Sequence, residues 1–144
     1  LENHETFGVT VHYMDEGIDT GPIVEVDRFS IDAKSETAQS LEKKSHKRMV
    51  ELFKKTLTRV KKEGILPSKK MSGGRHLSRK EMEELKLIQP GDDVDAKIRA
   101  FWFPPYDGAY IKIDGKNYTL VNRGILEQVD GDPEALFRHT QKGS

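Results

Sequence analysis

Six large apolar residues, Leu41, Met49, Leu52, Phe53, Leu57 and Val60, recur at three- and four-residue spacing between Ser35 and Gly64. That spacing predicts one long helix with a single buried stripe. Ser35 reads as its N-cap, Glu36 places negative charge in the first turn, and the helix runs to about Glu63 before Gly64 stops it. Lys43, Lys44, Lys47, Lys54, Lys55, Lys61 and Lys62 fall largely outside the stripe. A stripe of this length needs a sheet to cover it. Two β-rich runs precede it, residues 9–14 and 22–31, and two strands are too few to form that sheet alone. The pattern therefore predicts an α/β fold, and because Leu1 is not a start methionine and opens almost directly into a strand, the expectation is either an excised fragment or a first half that belongs to another segment.

Each run has strand chemistry. Val9-Thr10-Val11-His12-Tyr13-Met14 is β-branched, and Pro22 is tolerable only at the start of its strand. Glu25 and Asp27 interrupt the apolar face of Ile23, Phe29 and Ile31, which predicts a bulge or an edge position. After a loop from Gly64 to Arg75, Ser78-Arg79-Lys80-Glu81 matches the capping box and predicts a short helix over 79–87. Asp92 or Asp93 caps another short helix through Phe101 or Trp102, which Pro104-Pro105 end. Asp114-Gly115-Lys116 between residues 109–113 and 117–121 signals a hairpin. Residues 130–144 read as frayed, with room for one helical turn at 133–137. The division expected is 1–89 for the α/β portion and 90–144 for a small helix and hairpin extension.

The net charge of zero hides an asymmetry. Residues 1–40 hold nine acids against Arg28 and Lys34, whereas residues 41–70 hold eleven basic residues against three glutamates. Such segregation suits either a nucleic-acid surface or the basic outer face of one amphipathic helix, and we take the helix. No apolar run reaches the roughly 18 residues of a membrane span, and no basic-then-apolar leader is present. Cysteine is absent, so thiolate metal sites and disulfides are excluded, and a cytoplasmic location is the expectation.

Between the two strands lies Asp15-Glu16-Gly17-Ile18-Asp19-Thr20-Gly21, a polar loop bearing three acids and two glycines. Ligands in α/β folds gather at the carboxyl ends of strands, which makes this loop the candidate site. Read on residue chemistry alone, Asp19 is also a good turn aspartate bonding its own backbone. Metal binding by His12, Asp15 and Asp19 is disfavoured because no fourth ligand is evident.

Residues 8–24, GVTVHYMDEGIDTGPIV, closely resemble the aspartate-bearing loop of the formyl-tetrahydrofolate-dependent formyltransferases, with a pattern near H-x-x-D-x-G-x-D-x-G. The resemblance implies a Rossmann-like catalytic domain of which this chain is the carboxy-terminal part, with 10-formyltetrahydrofolate as cofactor. It implies that Asp19 is the catalytic aspartate, pairing with a histidine and raising its basicity. The backbone of Asp15, Glu16, Gly17 and Ile18 would line the pterin pocket, with Gly17 letting the chain approach a flat ring. His12 matches a histidine found in part of the family, and as a strand residue it reads equally well as a hydrogen-bonded core histidine. The family's Asn-x-His arrangement is not in this sequence. Asn3-His4 is adjacent rather than spaced by one, so base and oxyanion donor are expected in a missing amino-terminal half and the chain alone is expected to be inactive.

A second stretch, Lys97-Ile98-Arg99-Ala100-Phe101-Trp102-Phe103-Pro104-Pro105, with Gly108-Ala109 beyond it, resembles the segment that follows the core in these enzymes, especially the sugar-nucleotide ones. Arg99 could meet a phosphate and Trp102 could stack on a base; packing of the hairpin, or a dimer interface, is the alternative. His76 reads as a solvated loop residue. Residues 97–144 hold one hairpin, too little for the carboxy-terminal barrel of the methionyl-tRNA enzymes. The resemblance therefore implies a homodimeric enzyme acting on a nucleotide-linked amino sugar for polysaccharide synthesis, with nucleic acid and membrane not expected as partners. A methionyl-tRNA formyltransferase fragment, or a non-catalytic folate-binding or dimerisation module, are the alternatives.

Overall fold

The computed structural model describes residues 5–17, 20–73 and 77–127. Contacts divide the chain into two units, one of residues 3–33 and 41–76, the other of residues 1–2, 34–40 and 77–144.

In the first unit β1 (Thr6–His12) pairs antiparallel with β2 (Ile23–Ser30). β1 begins three residues before the expected Val9, because Phe7 and Thr6 continue the ladder opposite Phe29 and Ser30. The register shifts between Val11 and His12, which face Glu25 and Ile23, so Val24 is the extra residue. The bulge foreseen in β2 thus sits at its start rather than its middle. Glu25 and Asp27 remain on the apolar face because the helix supplies their counter-ions. Lys55 and Arg59 both bond Glu25, Arg59 at 2.8 Å, and Arg48 lies 3.6 Å from Asp27.

That helix, α1 (Ala38–Glu63), starts two residues later than the sequence suggests. Thr37 caps it instead of Ser35: the Ser40 N–H donates to Thr37 Oγ1 at 3.1 Å, and the Thr37 N–H returns a bond to Ser40 Oγ at 2.9 Å. Gly64, with φ of +77°, ends it as expected. Val9, Phe29 and Leu52 form the core beneath it, with Val11, Ile31 and Leu41 packed alongside. The single buried stripe needs correction. Met49, Phe53, Leu57 and Val60 are exposed, because the two-stranded hairpin covers only one flank of the helix. Ser45 and Thr56 are buried in their place, Ser45 by bonding the Leu41 carbonyl at 2.8 Å.

In the second unit, α2 (Arg79–Lys86) opens on the expected capping box, with Ser78 and Glu81 bonding each other's backbone. α3 (Val94–Phe101) is capped by Asp93, whose carboxylate accepts the Ala96 N–H at 2.9 Å. Asp92 has a different task. It accepts the Lys97 ammonium at 2.6 Å and the Gln89 N–H at 2.7 Å, and those bonds, the Lys97 one first, hold its carboxyl below the usual value. β3 (Tyr110–Ile113) and β4 (Lys116–Thr119) form the hairpin, turning at Asp114 and Gly115, both at positive φ. Leu87 bridges Tyr110, which joins α2 to this unit. α4 (Arg123–Glu127) carries no expectation from its apolar pattern, although Asn122 caps it through the Ile125 N–H at 2.9 Å. The expected turn at 133–137 lies outside the described residues.

Candidate functional site

The loop between β1 and β2 is closed at its neck. The Tyr13 N–H donates to the Pro22 carbonyl at 3.0 Å. The Tyr13 hydroxyl donates to the Leu66 carbonyl at 2.9 Å and accepts the Leu66 N–H at 2.8 Å, which ties the loop to the segment following α1. That segment also pairs with β2, since Ile23 and Lys69 exchange both backbone bonds at 2.7 Å. Sequence periodicity did not reveal this clasp, because Tyr13 reads as one more β-former.

Inside the neck, Asp15 organises the loop. Its Oδ1 accepts the Thr20 hydroxyl at 2.5 Å and the Gly17 N–H at 3.0 Å. The Thr20 bond first, and the Gly17 bond second, hold the Asp15 carboxyl below its ordinary value. Asp15 is therefore ionised and its local turn is fixed. Two glycines are required by contact. A Cβ on Gly21 would lie 1.6 Å from the Tyr13 carbonyl oxygen, and one on Gly17 would lie 2.1 Å from Thr20 Oγ1.

Around this frame the predicted residues are distributed unevenly. Met14, Asp15, Glu16 and Gly17 are exposed. His12 is half-buried, with Nδ1 3.0 Å from the Tyr13 carbonyl oxygen. Ile18 and Asp19 lie outside the described residues, as do His4 and His76. Among the described residues no cluster of three or more metal-ligating side chains occurs. No helix among them is long and apolar enough to cross a membrane.

Arg99 and Trp102 belong to the other unit. Trp102 is 6% exposed and packs with Ile98, Ala109 and Ile125, while Phe101, Leu120 and Val121 flank the cluster. Its backbone carbonyl accepts the Gln39 N–H at 3.1 Å. Arg99 is half-buried on α3. Lys97, two residues before Arg99 in the same motif, is buried and bonds the Leu87 carbonyl at 2.7 Å in addition to Asp92. The motif thus builds the core of its unit.

Residues 2–57 match the model of a family described as formyl transferase. The chain is 36% identical over 111 residues to a methionyl-tRNA formyltransferase of Janthinobacterium sp. (strain Marseille), which covers 75% of this chain and 34% of that protein. It is 31% identical over 125 residues to a GDP-perosamine N-formyltransferase of Brucella melitensis, covering 85% of this chain and 47% of that protein. Among solved structures it resembles the N-formyltransferase of Helicobacter canadensis in complex with folinic acid and dTDP-3-aminofucose. There the TM-score is 0.66 at 28% identity, over 80% of this chain and 43% of that one. The chain spans less than half the length of each of these relatives.

Proposed function

From this chain's membership of the formyl transferase family, we propose that it is part of an enzyme that moves a formyl group from 10-formyltetrahydrofolate to the amine of a nucleotide-linked sugar. The observation that carries this reading is the likeness, over 80% of the chain, to an N-formyltransferase solved with folinic acid and a dTDP-linked amino sugar. The relative that acts on GDP-perosamine supports the same acceptor class.

The exposed half of the loop fits a folate. A pterin presents an amino group and ring N–H groups along its edge, which need acceptors, and a flat face that needs close approach. Residues 15–17 offer an exposed stretch of chain and an ionised Asp15 whose Oδ1 accepts from Thr20 and Gly17. The backbone of Asp15, Glu16, Gly17 and Ile18 would hold the pterin. When bound, the cofactor supplies a formyl carbon on a nitrogen leaving group. In this proposal Asp19 orients a histidine from outside these 144 residues and stabilises its charged form, which makes that histidine a stronger base. Tyr13 and Gly21 fix the ends of the loop.

A second reading, transfer to methionyl-tRNA, is favoured by the 36% identity to the Janthinobacterium enzyme. Against it stands the use of α1's cations: Arg48, Lys55 and Arg59 neutralise Asp27 and Glu25 of the sheet. That leaves a weaker field for a polyanion than the charge count suggests.

The deciding experiment measures tetrahydrofolate release by the longer polypeptide with dTDP- and GDP-linked amino sugars and with methionyl-tRNA. Turnover on a sugar amine, lost in Asp19→Asn, supports the proposal. Turnover on methionyl-tRNA alone replaces the acceptor, and full activity of Asp19→Asn removes the role of Asp19.

A further inference from the structure

The Asp15 carboxylate closes a ring inside the candidate loop. Its Oδ1 accepts the Gly17 N–H, two residues on, at 3.0 Å and the Thr20 hydroxyl, five residues on, at 2.5 Å. The ring is tight as well as bonded. A Cβ at Gly17 would stand 2.1 Å from Thr20 Oγ1 and 3.1 Å from both Thr20 Cβ and Thr20 Cγ2, so the Thr20 side chain lies against the Gly17 backbone. Bonding to Thr20 first and to Gly17 second keeps the Asp15 carboxyl ionised at neutral pH, and an ionised acceptor makes the stronger bond.

Asp15, Glu16, Gly17 and Thr20 are all exposed. Hydrogen bonds between exposed groups add little to folding stability, because water replaces them on unfolding. What these bonds set is the path of the chain between them. Gly17 gives that stretch the freedom of a residue without a side chain. The core residues of this unit, Val9, Phe29 and Leu52, belong to the strands and α1 rather than to the loop. The bond from the Tyr13 N–H to the Pro22 carbonyl fixes where the loop leaves the hairpin, not the course of residues 15–17. Asp15 and Thr20 fix that course.

A pterin is rigid and planar and cannot adapt to a loop, so a loop that receives it has to be shaped beforehand. Where only a fraction of molecules hold the competent shape, the apparent affinity falls by that fraction. We infer that the Thr20 hydroxyl and the Asp15 carboxylate are positioning groups for the cofactor, holding residues 15–17 in the shape that receives the pterin, so that Thr20 sets cofactor affinity without touching the cofactor. The inference rests on the proposed function in one respect, that residues 15–17 face the cofactor. Thr20 is the informative member of the pair. Asp15 is also offered to the pterin as an acceptor in that proposal, whereas the Thr20 hydroxyl is committed to Asp15.

The test titrates folinic acid into the longer polypeptide without an acceptor, then measures tetrahydrofolate release in the same variants. Thr20→Val keeps the shape and removes the hydroxyl, and should weaken folinic acid binding by about 10-fold. Its KM for 10-formyltetrahydrofolate should rise by more than its kcat falls. Thr20→Ser keeps the hydroxyl and should bind within about twofold of the parent. Asp15→Ala already breaks the ring, so adding Thr20→Val to it should change binding by less than about twofold more. Thermal unfolding of Thr20→Val should match the parent, since the side chain is exposed. Parent-like binding by Thr20→Val would overturn the inference. So would equal losses in Thr20→Ser and Thr20→Val, or losses from Asp15→Ala and Thr20→Val that multiply. A fall in kcat with an unchanged KM would overturn it too. A parent that does not bind folinic acid removes the cofactor reading itself and this inference with it, whereas failure confined to the variants leaves that reading standing.

Discussion

The Tyr13 hydroxyl and the Leu66 backbone satisfy each other completely, the oxygen donating to the carbonyl at 2.9 Å and accepting the N–H at 2.8 Å. Leu66 is only 2% exposed, so neither backbone group has water to fall back on. Tyr13→Phe leaves a buried donor and a buried acceptor unpaired while keeping the ring. It should cost about 2 kcal/mol, measured as a lower urea midpoint with an unchanged slope. The Leu66 amide should exchange faster while Leu52 on α1 stays protected. A midpoint equal to that of the parent would mean that the clasp contributes nothing.

The two loop glycines should respond differently to the same methyl group. At Gly21 the added Cβ would meet a backbone carbonyl, that of Tyr13, which cannot move without opening the neck. At Gly17 it would meet mainly the Thr20 side chain, whose Oγ1 and Cγ2 are both dispensable for volume. Gly21→Ala should therefore destabilise by more than about 2 kcal/mol in any background. The damage of Gly17→Ala should be partly reversed by adding Thr20→Ala. Thermal unfolding of the single and double variants checks this, and equal behaviour of the two glycines would contradict it.

Much of the frame was legible in the sequence because it rests on local chemistry. The Ser78 and Glu81 capping box, the Gly64 stop and the Asp114-Gly115 turn each depend on residues within one turn of one another. What was missed depends on a choice between neighbouring cap candidates or on distant partners. Thr37 displaces Ser35 as the cap because Ser40, three residues on, returns its bond. Glu25 and Asp27 look like defects in β2 until α1 brings Lys55, Arg59 and Arg48 over them. Thr56 and Ser45 are buried because of where the hairpin lies, which no hydropathy pattern encodes. At the site, the loop itself was plain from its acids and glycines. The pairing of Asp15 with Thr20 and the Tyr13 clasp were not, since side-chain bonds across a loop leave no periodic trace.

The ion pairs under α1 predict an acid-sensitive first unit. Bonding to Lys55 first, with the attraction of Lys55 and Arg59 added, holds the Glu25 carboxyl below the ordinary 4.5. A carboxyl lowered in the folded state stabilises fully above its unfolded value, and that contribution fades as pH falls through the folded value. Stability should therefore drop between about pH 5 and pH 3, with Glu25 responsible for a share of the slope. In Glu25→Gln the neutral protein should be less stable, because Lys55 and Arg59 lose their shared counter-charge. Its stability should also change less over that range. Urea titrations at stepped pH separate the two effects. A slope identical to that of the parent would show that Glu25 releases no stabilisation on protonation.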